Sequence, residues 1–379
     1  MIILLVNMSL DPVTGGGTAE RILQVGLALA DLGHDCTILT TDLGISLERR
    51  SQLTNLRLVV LPCLCKRYYL FRFSLFELRN LVIGADIIHL MGHWTFINAL
   101  VYLLAKRYKK PYAVCPAGAL PLFGRSKLIK KLYNVVVGRA IIRNAQFHVA
   151  VADNEVAHFA KYGVHPTRVS IIPNGVNPDD FAIDNKEIFR KHIGLDDNPY
   201  ILFMGRLNLI KGPDLLIRAF YSIFDRFPDV NLVLAGPDGG LLQALKEQIS
   251  TQELKKRIHF VGHLAGKTKA AAYSSALLLV VPSRQEAMSI VALESGVCGV
   301  PVLITDQCGF GILSEIGGGM VVPATEEALS EGLVSLLEHR DNLPRMGERF
   351  KMYILEHFTW QAVAIAYIDL FNEKEKFGV

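Results

Sequence analysis

The sequence contains little cysteine and no long hydrophobic run. Only six of the 379 residues are cysteines. They lie mostly in apolar surroundings, and Cys63-x-Cys65 has the wrong spacing for a zinc knuckle, so we expect a reduced, cytoplasmic protein without structural metal. Hydrophobic residues make up 51% of the chain, yet no apolar run reaches the roughly 18 residues that a membrane-spanning helix needs. The first ten residues lack the basic region and cleavage site of a signal peptide and are better interpreted as a strand.

Acidic residues are absent from a long stretch of the first half. Between Asp86 and Asp153 there are ten basic residues and no acidic residue. Residues 1–174 therefore carry a net charge of +10, whereas residues 175–379 carry a net charge of −6. This uneven distribution indicates different partners for the two halves. We expect no nucleic-acid partner.

Two segments of the basic half could contact a membrane. Residues 124–143 carry six basic residues and apolar side chains at helical spacing, a pattern typical of helices that bind an anionic membrane or a phosphorylated acceptor. A solvated helix is the alternative. Residues 63–80 mix aromatic and basic side chains. This mixture fits a surface that lies against a membrane or a hydrophobic acceptor. The alternative is a packed helix whose arginines snorkel to the solvent. Both segments predict a peripheral position on the inner face of the plasma membrane.

Hydrophobic runs alternate with amphipathic stretches, which is typical of a doubly wound α/β fold with parallel sheets. The first run, residues 2–6, precedes a triple glycine at Gly15, Gly16 and Gly17 and a predicted helix at 18–32. Further strands are predicted at residues 36–40, 57–62, 87–89, 111–115, 149–151, 171–172, 200–204, 231–235, 259–261, 277–281, 302–304 and 320–322, and further helices at 96–107, 213–227, 267–275, 325–339, 341–357 and 359–376. Turn-forming residues between Pro173 and Pro178 mark a domain boundary.

Residues 277–301 contain the clearest candidate for a ligand site. A buried strand is followed by a polar loop with Glu286 and by a helix that carries Glu294. In doubly wound sheets ligands bind beyond the carboxyl ends of the strands, and the helix start between the two glutamates offers N–H groups that can hold a phosphate. Carboxylates on either side could hold hydroxyl groups, which favours a sugar nucleotide. Taken alone, two glutamates on a helix are more often a solvated face.

A series of motifs resembles the retaining, nucleotide-sugar-dependent glycosyltransferases of family 4, and the resemblance covers nearly the whole chain. The motifs are Gly15-Gly16-Gly17, Asp86-Ile-Ile-His89 with Gly92-His93-Trp94, Ile172-Pro-Asn-Gly-Val176, Met204-Gly205-Arg206 with Lys211-Gly212, Leu234-Ala-Gly236, Phe260-Val-Gly262-His263, and Glu286-x7-Glu294 followed by Gly299-Val-Pro301. The resemblance implies the GT-B fold, in which two Rossmann-like, doubly wound parallel-sheet domains face a central cleft. It implies an acceptor-binding domain at 1–174, a nucleotide-sugar-binding domain at 175–357, and a C-terminal helix at 358–379 that crosses back to the first domain.

The resemblance also implies roles for individual residues. Arg206 and Lys211 would hold the donor diphosphate. Glu286 would bind hydroxyls of the donor sugar, and Glu294 would bind those of the ribose. Gly16 and Gly17 would close over the phosphate or the acceptor, and Gly262, His263 and Leu264 would face the nucleobase. The N–H groups of Ser289 and Ile290 would meet phosphate oxygens. The neighbouring residues Gly205 and Met288 are also candidates for donor binding.

The implied chemistry is sugar transfer with retention at the anomeric carbon. The departing phosphate would deprotonate the incoming hydroxyl, and Arg206, Lys211 and the helix start would stabilise its charge. Since no D-x-D motif stands out, we expect a metal-independent reaction and no cofactor. Many relatives carry a histidine after the strand at 111–115, where this chain reads Cys-Pro-Ala-Gly; His93, or alternatively His89, would take its place.

The expected function is therefore that of a hexosyltransferase. It would move a sugar from a nucleotide-sugar donor, UDP-glucose or another UDP-hexose, to a glycan or lipid-linked acceptor in bacterial-type surface polysaccharide biosynthesis. Met288-Ser289 replaces the usual Phe-Gly between the glutamates and leaves the donor sugar open. The alternative is a nucleotide-sugar-binding or regulatory protein that has lost catalysis. A nicotinamide-dependent enzyme is a third interpretation, and the absence of G-x-G-x-x-G argues against it.

Overall fold

The computed structural model describes residues 1–11, 15–45, 50–51, 53, 55–65, 70–122, 126–183, 187–195, 197–249 and 251–373. The chain forms two compact units. The first comprises Met1–Asn174 and the chain from Trp360 onward, and the second comprises Gly175–Thr359. Within the described ranges, no helix combines the length and the apolar composition needed to cross a membrane.

The first unit is built on a seven-stranded parallel sheet. Its strands are β1 (Ile2–Val6), β2 (Asp35–Thr41), β3 (Arg57–Leu61), β6 (Ile87–Met91), β7 (Tyr112–Cys115), β8 (Phe147–Ala150) and β9 (Val169–Ile171), and a separate antiparallel pair is formed by β4 (Cys63–Cys65) and β5 (Leu70–Phe71). The order in the sheet is β3-β2-β1-β6-β7-β8-β9. β1 is apolar without alternation and buried from its second residue on, as expected for a strand that is covered on both faces.

Helices connect these strands and cover the sheet. They are α1 (Gly16–Asp31), α2 (Leu75–Gly84), α3 (Phe96–Arg107), α4 (Lys127–Tyr133), α5 (Arg139–Arg143) and α6 (Val156–Ala160). A π-helical turn, Asn134–Gly138, joins α4 to α5. α3 begins where Thr95 Oγ1 accepts a hydrogen bond from the Asn98 N–H, which supplies one of the partners that a helix start lacks.

The second unit repeats the pattern with a six-stranded parallel sheet. Its strands are β10 (Tyr200–Met204), β11 (Asn231–Ala235), β12 (Ile258–Gly262), β13 (Leu278–Val281), β14 (Val302–Thr305) and β15 (Gly319–Val322). Its helices are α7 (Glu187–Ile193), α8 (Pro213–Ile223), α9 (Leu242–Gln248), α10 (Gln252–Arg257), α11 (Gly266–Ser274), α12 (Ile290–Val297), α13 (Ile312–Glu315), α14 (Glu326–Glu338) and α15 (Leu343–His357). The order β12-β11-β10-β13-β14-β15 is that of a dinucleotide-binding sheet, 3-2-1-4-5-6.

The doubly wound α/β prediction is confirmed in both units, and β1, β10, β11 and α3 have the predicted bounds. Residues 63–80 differ from the packed-helix alternative, because only the part from Leu75 is helical. Before it, β4 and β5 pair, and the Arg72 N–H donates to the Pro62 carbonyl at 2.8 Å. Helix α2 begins directly after Ser74, whose side chain caps the helix start. Residues 66–69 of this segment lie outside the described residues.

The last helix, α16 (Trp360–Asn372), packs against α1 in the first unit. Its Tyr367 hydroxyl lies 3.0 Å from Nη2 of Arg21, a side chain on α1 that is fully buried. The same guanidinium donates to the carbonyls of Ile172 and Pro173 at 2.8 and 2.6 Å. One buried cation thus connects the first helix, the last helix and the chain segment that leaves the unit.

Replacing Arg21 with methionine is expected to destabilise the first unit. The substitution leaves the carbonyls of the buried Ile172 and the partly buried Pro173 without the donor that Arg21 supplies, which should lower the free energy of unfolding by about 2–4 kcal/mol. Denaturant unfolding of the full chain measures this. Arg107→Met, on the exposed side of α3, is the matched control and should change stability by less than about 0.5 kcal/mol. Equal stability of the two variants would contradict the structural role of Arg21.

Candidate functional site

The site lies where the strand order of the second unit reverses. β10 and β13 are hydrogen-bonded neighbours, with Leu202 paired to Leu279. The six-stranded sheet continues outward from them in opposite directions, to β11 beside β10 and to β14 beside β13. In such sheets the loops that follow the two central strands diverge and leave a crevice for ligands. Residues 205–212 follow β10, and residues 282–289 follow β13.

An ion pair joins these two loops. Lys211 Nζ lies 2.6 Å from Glu286 Oε1. The second carboxylate oxygen of Glu286 accepts a hydrogen bond from Ser283 Oγ at 3.1 Å, and its N–H donates to the Gln307 carbonyl at 3.0 Å. The lysine side chain is 31% exposed and the glutamate side chain 13% exposed. A cation and a carboxylate that were predicted to hold different parts of one donor therefore contact each other directly.

Close backbone contacts fix the first of these loops. Gly212 has a φ of +69°, and a Cβ there would lie 2.1 Å from the Pro282 carbonyl oxygen. A Cβ on Gly236 would lie 1.8 Å from the Gly205 carbonyl oxygen. Both positions therefore require glycine, because a side chain would collide with the main chain of the neighbouring loop.

Glu294 is buried on α12 with both carboxylate oxygens paired. Lys269 Nζ donates to Oε1 at 2.6 Å, and the Tyr273 hydroxyl donates to Oε2 at 2.7 Å. Burial and the nearby Glu294 carboxylate raise the pKa of Tyr273 well above its ordinary value, so the hydroxyl stays protonated and donates. Neither partner belongs to the sequence motifs. Their spacing of four residues on α11 indicates that they share one face of that helix.

The start of α12 lies between the two glutamates in sequence. Ser289 is fully buried and extended, with φ −82° and ψ 108°, and its side chain does not cap the helix. Among the described residues, Ser289 Oγ has no hydrogen-bond partner. The first N–H groups of a helix also lack intrahelical partners. A hydroxyl and N–H groups of this kind suit an anion such as a phosphate.

The remaining predicted residues of the second unit lie on loops of the same sheet. Arg206 is half-buried and lies against Gly239, where a Cβ would come within 2.8 Å of its Cγ. Gly262 ends β12, and its carbonyl accepts from the Gly236 N–H at 2.7 Å. His263 is exposed, and Leu264 and Met288 are buried. Ile290 is the first residue of α12.

In the first unit, Gly16 and Gly17 form the first turn of α1. Gly16 has a φ of +56°, which favours glycine. The Gly15 N–H donates to the Asp11 carbonyl at 2.8 Å, so the ends of this glycine loop are joined. Residues 12–14 of the loop lie outside the described residues.

His93 is enclosed by aromatic rings of the first unit. Its Nε2 lies 3.0 Å from Asn134 Oδ1, and the rings of Trp94, Tyr133 and Tyr162 meet it edge-on. Burial lowers the pKa of His93 to about 4, so the ring is neutral near pH 7. The geometry favours a packing role, and the catalytic role of His93 stays a prediction.

His89 is also buried in the first unit. Its Nε2 lies 3.1 Å from the Tyr367 hydroxyl. Burial, together with the charge of Arg21, lowers the pKa of His89 to about 3. The alternative histidine is thus neutral and engaged with α16.

Metal-ligating side chains do not cluster in the described part of the chain, where no group of three His, Cys, Asp or Glu residues is placed to hold a metal ion. The expectation of a metal-independent reaction concerns the chemistry and stays a prediction.

Comparison with known proteins identifies matching families in both halves. Residues 15–180 match the family described as Glycosyltransferase Family 4, and residues 184–352 match the family described as Glycosyl transferases group 1. An uncharacterised glycosyltransferase of Methanocaldococcus jannaschii is 31% identical over 212 residues, which are 54% of either chain. D-inositol 3-phosphate glycosyltransferase of Gordonia bronchialis is 28% identical over 63% of this chain and 54% of its own. The chain thus spans about half the length of the curated relatives it matches.

The fold is also similar to that of a solved protein. The crystal structure of Anabaena HepE in complex with UDP and glucose matches 98% of this chain and 100% of its own, with a TM-score of 0.77 and 18% sequence identity. At this identity the match shows the fold alone. With a family match in each half and this shared fold, the chain belongs to the group 1 glycosyltransferases of family 4 and has the GT-B fold.

Proposed function

We propose that this protein transfers a hexose from a nucleotide-sugar donor, with retention at the anomeric carbon, to a glycan or lipid-linked acceptor. The observation that carries the proposal is the Lys211–Glu286 pair at the reversal point of the second sheet. In this pair a cation that could hold a phosphate lies beside a carboxylate that could hold hydroxyl groups. A nucleotide sugar carries both groups.

The other polar groups of the second unit fit the remaining parts of such a donor. Glu294 is held by Lys269 and Tyr273, yet an ionised carboxylate has about four acceptor positions. It can therefore still accept hydrogen bonds from two ribose hydroxyls. The diphosphate would lie against the start of α12, where Ser289 Oγ is available.

The proposed reaction breaks the bond between the anomeric carbon and the diphosphate oxygen and forms a bond to the acceptor oxygen. Arg206, Lys211 and the N–H groups at the start of α12 stabilise the negative charge that grows on the leaving diphosphate. The acceptor proton passes to a phosphate oxygen on the same face. His93 and His89 are buried and neutral, so no step is assigned to either.

The donor is proposed to be UDP-glucose or another UDP-hexose. Support comes from the fold shared with Anabaena HepE, whose structure contains UDP and glucose. A second candidate, a protein that binds nucleotide sugars without turning them over, is favoured by the burial of both histidines. Slow hydrolysis of a bound nucleotide sugar by the purified protein would exclude it.

The surface of α4 and the π-helical turn supports a lipid-linked acceptor. It likewise supports a role in surface polysaccharide synthesis at the inner face of the plasma membrane. The apolar side chains of Leu128, Leu132, Val135 and Val136 are between 64% and 81% exposed. Lys127 and Lys131 are exposed beside them. An apolar stripe flanked by basic side chains fits the boundary of an anionic membrane. Residues 124–125 of the predicted segment lie outside the described residues.

A nucleotide screen tests the donor class. UDP and UDP-glucose should raise the thermal unfolding midpoint, because a ligand that binds only the folded state stabilises it. NAD should leave the midpoint unchanged. A shift with NAD and none with any nucleoside diphosphate would contradict a nucleotide-sugar site.

Substitutions of the central pair test the site. Lys211→Ala and Glu286→Ala should each lower nucleotide-sugar hydrolysis at least about 100-fold, because each removes a group that contacts the reacting part of the donor. Steady-state kinetics of the purified proteins measure this. Arg340→Ala, which breaks an exposed ion pair of equal length with Asp229, is the control and should keep wild-type turnover. Wild-type turnover in both site variants would rule out this assignment.

Vesicle binding tests the membrane surface. The double variant Lys127→Glu/Lys131→Glu should bind anionic phosphatidylglycerol vesicles at least about 10-fold more weakly at low salt, since each lysine contributes about 1 kcal/mol near such a surface. Lys255→Glu/Lys256→Glu, an exposed basic pair on α10, is the matched control. Cosedimentation measures binding, and high salt should release the wild type. Equal binding to neutral phosphatidylcholine vesicles would contradict the electrostatic part.

A further inference from the structure

The loops that carry Lys211 and Glu286 are connected a second time, through Arg284. Its guanidinium bonds both carboxylate oxygens of Asp214, from Nη1 to Oδ1 at 2.8 Å and from Nη2 to Oδ2 at 2.6 Å. Nη1 also donates to the Leu209 carbonyl at 2.7 Å. The Arg284 N–H donates to the Ile210 carbonyl, again at 2.7 Å. Arg284 thus holds the neighbouring loop through the carbonyls of Leu209 and Ile210. Through Asp214 it also bonds the helix that follows this loop.

The anchor of this connection is itself fixed. Asp214 lies in the first turn of α8, where a negative charge is favoured, and its side chain is only 9% exposed. Hydrogen bonds and charge from Arg284, with a further contribution from Arg218, hold the pKa of Asp214 below its ordinary value despite burial. The carboxylate therefore stays ionised over the range in which the protein would work.

Donor binding would compete with the first connection between the loops, the Lys211–Glu286 ion pair. In the present structure Lys211 and Glu286 satisfy each other at 2.6 Å. A donor diphosphate and a donor sugar would each compete for one member of this pair. Once the pair is separated, the two loops need another interaction to keep their spacing, and the Arg284–Asp214 pair makes no use of either donor-binding side chain.

We propose that Arg284 is a positioning residue for Lys211 and Glu286, which joins their loops through Asp214, Leu209 and Ile210 and so sets the spacing at which the donor is held. The identity of the ligand rests on the proposed function, whereas the loop connection rests on the geometry alone. Arg284 does not contact the donor in this proposal. Arg284 acts through Lys211, which directly precedes Gly212. It also acts through Glu286, which lies two positions after Arg284 in the sequence.

The chain offers a matched control. Arg218 contacts the same carboxylate, with Nη2 at 3.3 Å from Asp214 Oδ2, and it also donates to Glu326 at 2.8 Å. Within the described part of the chain, Arg218 makes no hydrogen bond to residues 205–212 or 282–289. Arg218→Gln therefore removes a cation from Asp214 without cutting the connection between the loops. If Arg284 merely stabilised α8, the two substitutions would have similar effects.

The first arm of the test measures the loop without any ligand. Hydrogen exchange of the backbone amides in residues 205–212 should become at least about 10-fold faster in Arg284→Gln, because this segment loses the donor that holds the Leu209 carbonyl. Arg218→Gln should leave it within about twofold of the wild type. Arg284→Lys, which retains the charge but cannot bridge two oxygens and a carbonyl, should resemble Arg284→Gln. Unchanged exchange in both Arg284 variants would overturn the proposal.

The second arm measures coupling to the donor-binding pair with UDP and UDP-glucose as probes. Arg284→Gln should weaken UDP binding and raise the KM for UDP-glucose about 10-fold in the wild-type background. In a Lys211→Ala background the same substitution should change UDP affinity by less than about twofold, because it has no lysine left to position. Additive effects in this cycle would overturn the proposal. Faster loop exchange in a protein that neither binds nor turns over any nucleotide sugar would support the positioning role and refute the proposed function.

Discussion

The pairing of β10 with β13 is the constraint on which the candidate site depends. These two strands are neighbours in space but are separated in sequence by β11, β12 and four helices. Because the sheet continues outward from them in opposite directions, the loops at their carboxyl ends face the same crevice. Lys211 and Glu286 meet there at 2.6 Å for this reason. Gly212 permits the approach, since any side chain at that position would strike the Pro282 carbonyl.

Three carboxylates of the second unit are paired with groups of the protein itself. Glu286 is held by Lys211, Glu294 by Lys269 and Tyr273, and Asp214 by Arg284. A largely buried carboxylate without a partner would be costly, so each pair stabilises the site. The first two pairs present groups that a nucleotide sugar can use, whereas the third holds the loops. The third pair can persist when a ligand separates Lys211 from Glu286, and preorganisation of this kind reduces what must rearrange on binding.

The first unit uses its buried polar groups differently. Arg21, His89 and Tyr367 form one connected group that joins α1 to α16, and His93 is enclosed by three aromatic rings. Sequence motifs alone suggested that a histidine after β6 acts in catalysis. Both histidines are buried, and burial lowers the pKa of His93 to about 4 and that of His89 to about 3, an environment that a motif cannot reveal because it records the residue type and not its surroundings. The exposed side of this unit, on α4, carries the apolar and basic side chains instead.

The sequence by itself determined the parallel α/β architecture and the positions of most strands, because continuous apolar runs bounded by glycine and turn formers leave little choice of structure. It also indicated Glu286 and Glu294 as candidates, since a loop after a strand and a helix start are local features, and the family resemblance of its motifs implied Lys211. It did not reveal the hairpin of β4 and β5, whose partner strands are set by non-local pairing. Only the tertiary structure decided that Lys211 contacts Glu286, that Lys269 and Tyr273 hold Glu294, and that Arg284 reaches Asp214 across 70 positions of the chain. Such contacts depend on which strands lie side by side, and strand order is fixed by the packing of the whole sheet.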